Sequence, residues 1–205
     1  MYNILEVVVM KTIASNVTNE IEIKNSKFIT IIYTIDDNSN INSILDNIKT
    51  SYPKATHYCY AYRTITTQKS SDDGEPGGTA GIPMLNVLIK EDLVNVLAIT
   101  VRYFGGIKLG AGGLVRAYTK SLTSALSLVK KEELIEGYLI KISTDYSNQK
   151  QLDYLLKDIS IIEKSFHDNV IYTIEIAKDN IEILNNYSYE IIDTKLIKNK
   201  KQTKS

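Results

Sequence analysis

Five of the chain's ten glycines fall within RYFGGIKLGAGGLVRAYTKS, residues 102–121, where an apolar strand hands over to a long amphipathic helix. No other feature constrains the fold as much. Gly105, Gly106, Gly110, Gly112 and Gly113 allow positive φ and close approach of the backbone to another segment or molecule. The residues before them, 93–104, are almost continuously apolar, which reads as a strand buried on both faces. Beyond them, Leu114, Val115, Tyr118, Leu122, Ala125, Leu126 and Val129 recur at helical spacing and leave Arg116 and Lys120 off the stripe. Two readings follow. The glycines form a tight turn that lets strand and helix pack closely, or they open an anion site at the helix N-terminus. There the unpaired N–H groups would act together with Arg102, Lys108, Arg116 and Lys120. The spacing matches neither G-x-G-x-x-G with a following acidic residue nor G-x-x-x-x-G-K-[ST], so the common nucleotide cradles are excluded.

Charge narrows the partners. Residues 1–130 carry 13 Lys+Arg against 11 Asp+Glu, whereas 131–194 carry 6 against 13. An acidic second half repels a phosphate backbone, so nucleic acid would meet the first half or the tail lysines Lys195, Lys198, Lys200, Lys201 and Lys204. Cys59 is the single cysteine; with His57 and His167 it excludes an internal disulfide and a closed Cys/His zinc site, and it fits a cytoplasmic location. No apolar run approaches the roughly eighteen residues of a membrane span. Residues 1–9 lack signal-peptide character, and the MKTI at Met10 makes them an extension or an edge strand.

Along the chain, residues 20–23 and 27–35 read as a hairpin and 41–51 as a helix. Residues 56–65 form an alternating strand that turns Tyr58, Tyr60 and Tyr62 to one face and His57, Cys59, Ala61 and Arg63 to the other. QKSSDDGEPGG, 68–78, is a polar loop, after which Thr79 is placed to cap a helix reaching Leu88. From Gly137 the expected order is strand 138–144, helix 149–156, hairpin 159–166 and 169–177, short helix 180–186 and strand 189–197. This is the β-α-β-β-α-β split unit of ferredoxin-like folds. The expectation is thus an α+β chain with an N-terminal domain over 1–130, a linker over 131–136, a ferredoxin-like domain over 137–198 and a basic tail over 199–205.

SSDDGEPGGTAGIPML, 70–85, and TVRYFGGIKLGAGGLVRAYTKS, 100–121, resemble the signature segments of the IMPACT family, and the layout resembles its bacterial YigZ-type members. The resemblance implies an N-terminal domain folded like the second domain of a small-subunit ribosomal protein, as in elongation factor G and GHMP kinases. It implies a C-terminal domain similar to the last domain of elongation factor G. Eukaryotic members regulate translation and carry an additional N-terminal partner-binding domain, so that specific activity is not carried over; the resemblance to bacterial members implies a cytoplasmic protein that binds RNA or the translation machinery.

Three functional classes stand. A binding module would hold phosphates with the glycine loop and its cations, with Tyr58, Tyr60 and Tyr62 stacking bases; a half-buried sheet face under a helix is the alternative for the tyrosines. An enzyme would use a small-molecule phosphate site with Mg²⁺ on Asp72, Asp73 and Glu75. Solvated turn formation, or pairing with Arg116 and Lys120, is the alternative for these carboxylates. An interaction module would dock its acidic C-terminal half on a basic protein. No cofactor is required by any motif, and nothing in the sequence sets the oligomeric state.

Overall fold

The computed structural model describes residues 9–199. The leading extension before Val9 and the tail beyond Asn199 lie outside the described residues. The chain divides into two compact units, Met1–Glu132 and Glu133–Ser205, each mixing helices and strands.

After a short β1 (Lys11–Ile13), the first unit holds β2 (Val17–Ile23), β3 (Ser26–Thr34), α1 (Ile41–Ser51), β4 (His57–Arg63) and β5 (Gln68–Ser71), followed by α2 (Gly81–Lys90), β6 (Val96–Tyr103) and α3 (Ala111–Leu126). Its sheet runs β2-β3-β6-β4-β5 with every neighbour antiparallel. The β2–β3 turn uses Lys24 and Asn25, both at positive φ (47° and 62°), the requirement of a two-residue hairpin whose twist matches its strands. β6 is central, as its apolar run requires, and packs on both sides. Val96 and Ala98 join Tyr118, Leu122, Ala125, Met84 and Leu88 of α3 and α2, whereas Leu97, Ile99 and Val101 join Leu45 and Ile48 of α1. A buried hydroxyl cluster pins α3 to the sheet: Thr30 Oγ1 lies 2.8 Å from Thr100 Oγ1 and 2.6 Å from Ser121 Oγ. Such bonds tolerate no slip of the helix, because each hydroxyl would be left buried and unpaired.

The second unit is built from β7 (Lys131–Thr144) from Glu133 onward, α4 (Gln149–Leu155), β8 (Ser160–Phe166), β9 (Val170–Ala177), a 3-10 helix (Lys178–Leu184) and β10 (Tyr189–Lys198). Its antiparallel strands lie in the order β10-β7-β9-β8. Ile140, Ile142, Val170, Tyr172, Ile174 and Ile176 meet Leu152, Leu156 and Leu184 in its core. The short helix expected over 180–186 is a 3-10 turn beginning two residues earlier. Residues 131–136, read as a linker, are extended and open β7: Leu134, Ile135 and Glu136 pair with Lys198, Ile197 and Leu196. Their charges suggested a loop, but the strand runs through them, and Glu136 is paired 2.8 Å from Lys178. Gly137 makes the pairing feasible, since a Cβ there would lie 2.6 Å from Ile197 Cδ1.

Candidate functional site

The register of the first sheet places Phe28, Arg102 and His57 side by side on β3, β6 and β4, on the face that α2 and α3 cover. Arg102 is therefore the last side chain of a buried row, and an unpaired guanidinium there would be untenable. Its counter-charge comes from the loop between β5 and α2. Glu75, 8% exposed, accepts a 2.6 Å bond from Arg102 Nη1 and a 2.8 Å bond from the Tyr118 hydroxyl of α3 on the same Oε1. Its Oε2 lies 3.7 Å from His57 Nε2, and His57 Nδ1 lies 2.8 Å from the Asp73 carbonyl oxygen. Phe28 and Phe104 flank the guanidinium at 5.3 and 5.5 Å, a double cation–π contact that shields the pair from water.

Asp72 organises the rest of that loop. Its Oδ1 accepts from the N–H groups of Ala80 and Gly81 at 2.9 and 2.8 Å, and its Oδ2 accepts from Gly78 at 2.8 Å. Burial raises its carboxyl, but these three N–H donors outweigh burial and hold it below the ordinary aspartate range. The cap of α2 is thus Asp72, nine residues before the helix, and not Thr79, whose hydroxyl donates to the Pro76 carbonyl at 2.6 Å. Asp73 Oδ2 takes the Tyr58 N–H at 2.6 Å. The three carboxylates are accordingly directed to backbone donors and to Arg102, and among the described residues they form no cluster suited to a metal ion. Neither Arg116 nor Lys120 is their partner. Cys59 Sγ lies 2.9 Å from the Asp72 carbonyl oxygen and 3.3 Å from the Tyr118 hydroxyl, and burial pushes its thiol up to about 12, which removes it as a nucleophile. Burial pushes the Tyr118 phenol up as well.

Of the residues expected to hold an anion, two belong elsewhere. Arg102 is buried with Glu75, so it is not a surface cation. Gly105 is a packing glycine, because a Cβ there would lie 2.0 Å from the Asn25 backbone. Of the others, Gly106 and Lys108 lie in the loop before α3, Gly110 precedes its first residue, Gly112 and Gly113 lie in its first turn, and Arg116 and Lys120 lie further along it. Gly106 and Gly110 take positive φ (83° and 71°), Gly110 leads into the helix without a side-chain cap, and its first turn has no acidic residue. Lys108, Arg116 and Lys120 are exposed. A Cβ on Gly112 would meet only Arg116 Nη1, at 3.6 Å.

Tyr58, Tyr60 and Tyr62 lie half-buried on the opposite face, packed with the Leu97, Ile99 and Val101 cluster beneath α1, and the Tyr58 hydroxyl donates to the Tyr52 carbonyl at 2.7 Å. The sheet-face alternative describes them. Sequence reasoning missed the Glu75–Arg102–Tyr118–His57 cluster, although a lone arginine in an otherwise apolar central strand signals a buried counter-charge. It also missed that residues 93–131 hold six Lys/Arg and no Asp or Glu, and that Phe104 is 46% exposed.

Residues 24–126 match the Impact N-terminal domain family. A Haemophilus influenzae protein named IMPACT family member is 37% identical, over 82% of this chain and 85% of its own length. The Escherichia coli IMPACT family member YigZ is 41% identical over 55% of this chain and 58% of its own. A crystal structure of a hypothetical protein superposes with a TM-score of 0.62 at 28% identity, covering 90% of this chain and 97% of that one. No helix among the described residues is long and apolar enough to cross a membrane.

Proposed function

The chain belongs to the IMPACT family, and from that premise we propose that it is a regulatory or accessory protein linked to translation, binding RNA or the ribosome through phosphates held at its glycine-rich loop. One observation carries the binding surface: an acid-free stretch, residues 93–131, presents exposed Lys108 before the uncapped N-terminus of α3 and exposed Arg116 and Lys120 along the helix that follows. Unpaired N–H groups and the positive end of a helix favour an anion, and Arg116 and Lys120, four residues apart on one helical face, add two cations beyond it. The link to translation rests on family membership alone. The strand order β10-β7-β9-β8 supports reading the second unit as ferredoxin-like and similar to the last domain of elongation factor G. The first unit we read as the fold of the ribosomal protein's second domain.

The test is RNA and ribosome binding by the intact protein and by the Arg116→Ala, Lys120→Ala double variant across a salt series. The reading expects salt-dependent binding in the wild type and a log–log slope shallower by about 1.4 on single-stranded RNA when two phosphate contacts are lost. A folded double variant that binds with wild-type affinity and slope refutes it.

A further inference from the structure

We infer that Phe104 is a stacking platform for a base of single-stranded RNA whose phosphates run along the glycine loop, an assignment that rests on the phosphate-binding reading above. The ring is 46% exposed at the head of the loop. One side is occupied by the Arg102 guanidinium, 5.5 Å from its centroid, and Arg102 is itself locked by Glu75. The backbone beneath is equally constrained: the Phe104 N–H donates to Thr56 Oγ1 at 3.0 Å and the Gly105 N–H to Ser26 Oγ at 3.2 Å. A large aromatic exposed to this degree yet held from below loses little further freedom when it stacks, which is what a base platform needs. The chain beyond it has exposed Ile107, then Lys108 and the start of α3, without a carboxylate to repel a phosphate. That charge selects a polyanion over an acidic-faced or neutral protein surface. The aromatic selects a polyanion with free base faces, hence a single strand, since duplex RNA keeps its bases stacked on one another. Tyr58, Tyr60 and Tyr62 do not serve, being packed under α1.

The chain contains no tryptophan, so Phe104→Trp introduces a unique reporter at the platform. This variant is titrated with an adenosine octanucleotide and, separately, with inorganic polyphosphate, while fluorescence anisotropy of the labelled octanucleotide follows affinity in the wild type, Phe104→Leu and Arg116→Ala, Lys120→Ala proteins. The expected result is quenching by the octanucleotide and none by polyphosphate, with RNA affinity falling about 5- to 150-fold in Phe104→Leu. RNA bound without quenching, together with Phe104→Leu within twofold of wild type, overturns the platform; Phe104 is then only the cover of the Arg102–Glu75 pair. If the double variant still loses affinity in that case, the phosphate reading survives alone. Equal quenching by polyphosphate also overturns the platform. Absence of RNA binding by the wild type overturns both. Should the leucine variant fail to fold, the Phe104→Trp titrations still decide, because tryptophan retains a ring over Arg102 and its quenching by the octanucleotide but not by polyphosphate reports stacking directly.

Discussion

Glu75→Gln isolates the charge of one residue in a fully assembled cluster. Glutamine has nearly the same volume and still offers an oxygen to the Tyr118 hydroxyl, which now donates to Glu75 Oε1 at 2.8 Å. What disappears is the negative charge facing Arg102 across 2.6 Å, with both side chains at most 6% exposed. Removing one member of a buried pair leaves an uncompensated ion and costs about 3 to 5 kcal/mol. With an m-value of about 2 kcal/mol/M, the urea midpoint of the first unit falls by about 2 M. Removing both charges is much milder, because the desolvation of Arg102 is avoided as well; its Nε has no acceptor among the described residues, so that desolvation is incompletely offset in the wild type. Glu75→Gln with Arg102→Met therefore recovers at least half of the loss. Urea unfolding of the four proteins, followed by circular dichroism, measures the cycle. A loss below about 1 kcal/mol for Glu75→Gln, or strict additivity of the two substitutions, would refute the claim that Glu75 is the buried counter-charge of Arg102.

Asp72→Asn removes the charged cap of α2 and costs about 1 to 2 kcal/mol at pH 7. Because the folded carboxyl is held below its ordinary value, its contribution is complete above about pH 4 to 5 and is lost as pH falls through the folded pKa. The gap between wild type and variant in urea midpoint thus narrows on acidification, and a gap independent of pH down to 3 would contradict the assignment. Gly105→Ala and Gly112→Ala should diverge: the first forces a Cβ to within 2.0 Å of the Asn25 backbone and lowers the melting temperature. The second meets only Arg116 Nη1 at 3.6 Å and gains up to about 1 kcal/mol of helix propensity, so equal melting temperatures would count against both placements. Iodoacetamide at pH 8 should leave Cys59 unmodified in the native protein and alkylate it in urea, as mass spectrometry would show; rapid native labelling would contradict its burial and raised pKa.

Periodicity made most elements legible, because a half-buried strand must alternate and a helix packed on a sheet must repeat its apolar residues every third or fourth position. The helix over 41–51 coincides with α1, and the opposite faces assigned to Tyr58 and to His57 and Cys59 are those observed. Charge was less informative. The run at 131–136 looked like a linker because its acids and lysines are prominent, yet Leu134 and Ile135 carry the pairing with β10. In the acidic loop, Asp72, Asp73 and Glu75 are adjacent in sequence and act on three different targets: the start of α2, the backbone of β4, and Arg102.

The sequence by itself determined where the strands and helices lie, which strand is central, and that glycines must join β6 to α3, since all of these follow from local spacing and backbone freedom. Only the tertiary structure decided what each polar residue of those elements does. Arg102 became a buried ion and Arg116 a surface one because the sheet register aligns Arg102 with Phe28 and His57 beneath the helices, and no local rule encodes contacts made across 27 residues to Glu75.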